Sequence, residues 1–125
     1  MSILLILSIL TVQEAQQLYD FATQLGLDVL VEVHSDEDLE RLKQLKNVKM
    51  IGINNRNLST FDVDVNHCID VKKQLEDVFS STVFVAESGI VNSHDCDRIS
   101  NSGFNAVLIG EGLVTNSQLG SYFSL

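Results

Sequence analysis

The chain has 125 residues, 45% of them hydrophobic and 20% charged, with 17 acidic against 8 basic side chains and a formal charge of −9. That length suits one globular domain spanning residues 1–125 and excludes a complete eight-stranded (β/α) barrel, which needs at least roughly 200 residues. No Lys or Arg precedes Arg41, so nucleic acid is not an expected partner, because phosphate contacts need clustered basic side chains.

The opening run, Met1-Ser-Ile-Leu-Leu-Ile-Leu-Ser-Ile-Leu10, lacks the charged leader and small-residue cleavage site of a secretory signal. It is also too short to span a bilayer, so the expectation is a cytoplasmic chain without a membrane partner. Ile3–Leu7 within it reads as a strand. Thr11-Val-Gln-Glu14 is a capping box, in which hydroxyl and carboxylate satisfy orphan backbone N–H groups. It opens a helix with Ala15, Leu18, Ala22 and Leu25 on its inner face and Gly26 at its end.

Val29–Val33 is the second strand. Ser35-Asp-Glu-Asp38 then starts a helix with three carboxylates in the first turn, where the dipole favours them, and Leu39, Leu42 and Leu45 as its stripe. Met50–Ile53 follows as a strand, and Asp64 caps a helix whose inner face is Cys68, Val71, Leu75 and Val78. Thr82–Ala86 and Ala106–Ile109 are the last two strands, separated by a helix capped by Asn92 or Ser93 that stops near Gly103. A final short helix is predicted over Asn116–Phe123. Cys68 and Cys96 have neither metal-ligand nor C-x-x-C spacing and read as small buried hydrophobes in a reducing compartment.

The strand runs are four or five residues long and apolar on both faces, as in parallel sheets covered by helices. Five βα units in succession call for an α/β fold with parallel strands and right-handed crossovers. The pattern fits an open doubly wound sheet and part of a barrel equally.

In both architectures ligands gather at the carboxyl ends of the strands. Those ends carry Ser8; Glu32 and His34; Asn54, Asn55 and Arg56; Glu87, Ser88 and Gly89; and Gly110, Glu111 and Gly112. A carboxylate at Glu32 is costly to bury, so its pKa is expected to rise towards the range of a general acid or base; its alternative is a structural ion pair. Glu87 brings a second carboxylate to the same mouth, and two such groups can divide acid and base work. Ser88-Gly89 and Gly110-Glu-Gly112 each follow a strand and are expected to precede a helix. There, glycine lets backbone N–H groups approach a phosphate, although each pair also serves as an ordinary turn. Arg56 offers a guanidinium fork for a carboxylate, from a substrate or from the protein itself. His34, His67 and His94 lack metal-ligand spacing and are assigned no chemistry.

In order and spacing, Leu30-Val-Glu-Val-His34, Ile51-Gly-Ile-Asn-Asn-Arg-Asn-Leu58, Val85-Ala-Glu-Ser-Gly-Ile90 and Ala106-Val-Leu-Ile-Gly-Glu-Gly-Leu113, together with the first strand, resemble the indole-3-glycerol phosphate synthase family over essentially the whole chain. The resemblance implies a partial TIM (β/α)8 barrel made of strands four to eight, hence the C-terminal part of the enzyme. It implies a lyase of tryptophan biosynthesis that closes and decarboxylates carboxyphenylamino-deoxyribulose phosphate without a cofactor. Carried over by position, Glu32 is the catalytic proton acceptor, and Asn54 and Glu87 orient reacting groups. Arg56 faces the substrate carboxylate, Ser88, Gly89, Gly110 and Glu111 hold the phosphate, and Leu108 is an apolar contact.

Gly112 stands where the family more often has serine. The family's general-acid lysine and its first-strand glutamate and lysine belong to the three units that this chain does not match. The chain alone is therefore expected to be inactive, and its partners to be a phosphorylated small molecule together with either a separate N-terminal half-barrel or a second copy of itself. The competing expectation is a non-catalytic, phosphate-binding or self-assembling half-barrel. Both end strands, Ile3–Leu7 and Ala106–Ile109, are expected to be open apolar sheet edges.

Overall fold

The computed structural model describes residues 2–55, 65–79, 81–87, 93–109 and 112–115. In chain order these form β1 (Ser2–Ile6), a 3-10 turn (Leu7–Ile9), α1 (Val12–Gln24), β2 (Asp28–Val33), α2 (Asp36–Leu42) and β3 (Met50–Asn54). Then come α3 (Val65–Leu75), β4 (Val83–Glu87), α4 (Ser93–Asn101), β5 (Ala106–Ile109) and β6 (Gly112–Thr115). One sheet of order β1-β2-β3-β4-β5-β6 holds them, parallel from β1 to β5. This is the expected succession of βα units, with every sequential strand lying beside its predecessor.

Helix starts follow their sequence signals. Thr11 and Glu14 form the reciprocal capping box on α1, and Ser35 and Asp38 form one on α2. Gly26, at φ +78°, lets the Leu27 N–H reach the Ala22 carbonyl and its own N–H reach Thr23, which closes α1 in a Schellman turn. Asp64, the expected cap of α3, and the helix expected over Asn116–Phe123 lie outside the described residues.

Asp38 does more than cap. Its carboxylate is 2% exposed, accepts the backbone N–H groups of His34 (3.0 Å) and Ser35 (3.2 Å), and meets Arg41 at 3.3 Å. It thereby ties the end of β2 to the start of α2. Removing a buried charged acceptor strands its donors, so Asp38→Ala is expected to lower stability by about 2–3 kcal/mol, measured as a drop in the urea midpoint with unchanged slope.

The sheet has two unlike faces because side chains alternate along each strand. On one face, Val29, Val31, Val33, Ile51, Ile53, Phe84, Ala86 and Val107 pack beneath the helices in a single core with Ala15, Leu39, Leu42, Cys68, Val71, Leu75 and Ile99. On the other, Leu30, Val85 and Ala106 form a small second cluster with Met50 against it. That second face is incompletely covered: Leu4 is 45% and Val83 37% exposed.

Four expectations need correction. On α1, Leu18 and Leu25 are exposed, and Tyr19 is buried in their stead. Its hydroxyl donates to the Asn47 carbonyl at 2.7 Å, a contact made 28 residues away that rotates the helix about one position. Val78 faces solvent because α3 ends at Leu75 and the chain turns there. Gly112 opens not a helix but an antiparallel strand, with Ile109 opposite Gly112 and Ala106 opposite Thr115. Consequently Ala106–Ile109 is not an edge, and β1 is the open parallel edge of the sheet.

Candidate active site

Register places the polar residues of the less covered face in layers. Leu4, Leu30, Met50 and Val83 lie across from one another; the next layer is Ile6, Glu32, Gly52, Val85 and Ala106; the last is Asn54, Glu87 and Leu108. Below the apolar layer only Ser2 and Asp28 pair at the amino ends of β1 and β2, and Glu32, Asn54 and Glu87 lie towards the carboxyl ends. Glu32, Asn54 and Glu87 therefore converge on one face, as expected from their positions at the strand ends.

The two carboxylates sit in different surroundings. Glu32 is half-buried, and the Asn54 amide donates to its Oε1 at 3.4 Å. Glu87 is 2% exposed, and neither of its oxygens has a hydrogen-bond partner among the described residues. Burial, followed by the neighbouring negative charge of Glu32, pushes the Glu87 carboxyl up to about 8. The burial expected at Glu32 thus falls on Glu87, which is a protonated acid near neutral pH beside an acceptor carboxylate. Such a pair can move a proton in each direction.

Supporting contacts hold the rim. His34 Nδ1 donates to the Asn54 carbonyl at 2.7 Å, and His67 Nε2 donates to the His34 carbonyl at 2.8 Å, since a carbonyl can only accept. The two rings lie 4.6 Å apart and join the ends of β2 and β3 to the first turn of α3. Asn55, grouped in the sequence with the mouth residues, is buried: its N–H donates to the Glu87 carbonyl at 2.8 Å, and its Oδ1 accepts from Cys68 N–H at 2.9 Å. It anchors α3 against β4.

Arg56, Ser88, Gly89, Gly110 and Glu111 lie outside the described residues. Leu108 is on β5 opposite Glu87. Sequence reasoning missed Gly52, whose signal was a lone glycine inside an apolar strand, the mark of a close approach from another group. A Cβ at Gly52 would stand 2.6 Å from Glu87 Oε2 and 3.3 Å from Leu30 Cδ1.

Five parallel strands alternating with helices in one sheet, with Glu32, Asn54 and Glu87 at the carboxyl ends on the face opposite the helices, define a portion of a TIM-type (β/α) barrel. Comparison with known proteins is specific. The family model described as indole-3-glycerol phosphate synthase matches residues 1–123, and the chain belongs to that family. It is 40% identical over 121 residues to proteins named indole-3-glycerol phosphate synthase from Bacillus cereus and Bacillus anthracis. The match takes in 97% of this chain and 47% of each relative, so the chain spans about half the length of the curated relatives it matches.

Proposed function

We propose that the chain supplies the last five βα units of an indole-3-glycerol phosphate synthase barrel, a carbon–carbon lyase that closes and decarboxylates carboxyphenylamino-deoxyribulose phosphate in the cytoplasmic synthesis of tryptophan. The observation that carries this reading is the Glu32–Asn54–Glu87 cluster at the strand ends, with Asn54 opposite Glu87 and its amide on Glu32. Glu32 accepts a proton in the dehydration that completes the indole, and Asn54 and Glu87 orient the reacting groups. Arg56 takes the substrate carboxylate. Ser88, Gly89, Gly110 and Glu111 hold the phosphate chiefly through the backbone, with Leu108 against the substrate's apolar part.

Loss of water also needs a proton donor at the other side of the substrate. The described lysines belong to the last turns of helices or to the approach to β3, at the amino ends of the strands: Lys43 ends α2, Lys49 precedes β3, and Lys72 and Lys73 end α3. Buried Lys72 is also engaged by Glu76 at 3.0 Å and lies over the Phe84 ring. Glu87 carries a proton near neutral pH but lies beside Glu32, on the proton-accepting side of the site. On this reading the donor is the family's general-acid lysine, which belongs to the first three units, and the five units alone are inactive until a polypeptide carrying those three is supplied.

A second reading, a self-assembling half-barrel, is favoured by the open β1 edge and by the exposure of Leu4 and Val83 on the less covered face. One assay separates the two. The chain alone is expected to form no indole-3-glycerol phosphate, and mixing it with a polypeptide carrying the first three units is expected to restore formation. Activity of the chain alone would overturn the need for the missing lysines. Inactivity of both, with phosphate binding that Gly110→Asp removes, would favour the non-catalytic module.

A further inference from the structure

Glu87 belongs to the outermost layer of the face, level with Asn54, whereas Glu32 belongs to the layer below, level with Gly52. Side chains pointing straight out of the sheet would keep the two carboxyls in separate layers. Glu87 instead leans back over β3, and the space it enters is the one that a side chain at position 52 would fill: Glu87 Oε2 is 2.6 Å and its carboxyl carbon 3.0 Å from where a Cβ at Gly52 would stand. Real Cβ atoms essentially never sit that close to another heavy atom, so any other residue forces the carboxyl to move.

Backbone conformation does not account for the glycine. Gly26 and Gly103 have the positive φ that favours glycine, whereas Gly52 lies in regular parallel pairing with Glu32 on one side and Val85 on the other. Packing against the helices does not account for it either, since its neighbours Ile51 and Ile53 make those contacts. What remains above Gly52 is the carboxyl of Glu87, with the Leu30 side chain at its flank.

We infer that Gly52 is a positioning residue for the reaction: by presenting no side chain, it lets the Glu87 carboxyl lie back over β3 beside Glu32, so that the two carboxyls act as one proton-handling pair. This rests on the proposed synthase reading only for the purpose that the pair serves. The placement itself is a property of this chain, and it is tested without turnover.

The measurement is a 13C NMR titration of the Glu87 carboxyl in the full chain, with Glu87→Gln to assign the resonance. In the unaltered chain the carboxyl is expected to titrate at about 8. In Gly52→Ala the methyl group expels it towards the open mouth, where water solvates its charge, and its midpoint is expected to fall by at least one pH unit. A Glu87 midpoint unmoved by Gly52→Ala, or an ordinary carboxylate midpoint in the unaltered chain, overturns the inference.

If Gly52→Ala fails to fold, the double variant Gly52→Ala/Glu87→Ala decides. Recovery of the fold is expected because the added methyl then occupies vacated space; a double variant as unstable as the single one overturns the inference. Failure of the mixing assay leaves these titrations untouched, so rejection of the synthase reading and rejection of the Gly52 placement are separate results.

Discussion

On the proposed synthase reading, in a barrel assembled from this chain and a polypeptide carrying the family's first three βα units, Glu32→Gln is expected to lower kcat by about 10²–10⁴-fold, the usual contribution of a positioned general base. On that reading KM should change little, because the proposed phosphate and carboxylate contacts belong to other residues. Glutamine keeps the shape of the side chain and can still meet the Asn54 amide, which approaches Oε1 at 3.4 Å, so the loss isolates the proton-accepting charge. Steady-state kinetics of the two reassembled enzymes measures it, and equal kcat values would remove Glu32 from the chemistry. Glu87→Gln serves as the comparison: it preserves the neutral, hydrogen-bonding form, and it should cost less near neutral pH than the same change at Glu32.

The second large effect concerns stability against pH. Burial and the charge of Glu32 push the Glu87 carboxyl up from the ordinary 4.5 to about 8 in the fold, so between those values the folded chain is expected to hold a proton that the unfolded chain has released. Stability therefore falls as pH rises through that window and levels off above it. Each pH unit of the shift is worth about 1.4 kcal/mol, so the decline is expected to be a large part of the net stability of a small domain. The urea midpoint of the chain is expected to drop steadily from pH 5 to pH 8. Glu87→Gln should leave the midpoint at pH 5 nearly unchanged and flatten the decline. A wild-type midpoint that rises over this range would mean that the buried carboxyl is ionised and paired.

The reassembled barrel would inherit the same slope unless an incoming unit brings a hydrogen-bond donor to Glu87, both of whose oxygens are unpartnered among the described residues.

Much of this arrangement was legible in the sequence because it is local. Thr11 and Glu14, or Ser35 and Asp38, announce a helix start with residues three apart, and buried parallel strands announce themselves as short runs without alternation. The convergence of Glu32, Asn54 and Glu87 was legible for a different reason: parallel topology puts every strand's carboxyl end on one rim. What escaped depends on contacts distant in the chain. Which flank of α1 faces inward is decided by Tyr19 reaching Asn47, and which carboxylate is buried is decided by the gap at Gly52, a residue on a neighbouring strand. Asn55 looked like a mouth residue because it adjoins Asn54. In a strand, adjacent side chains point to opposite faces, and its neighbour on the far side is α3.

The strand Gly112–Thr115 occupies the outer hydrogen-bonding groups of β5. In a closed ring those groups belong to the first strand of the barrel. Completing the ring is therefore an exchange and not an addition: one partner must peel away before another can take the ladder, and the bonds broken offset those formed. β1, at the opposite edge, has no occupant to displace among the described residues. Closure would accordingly have a direction, with capture at β1 first and the swap at β5 last.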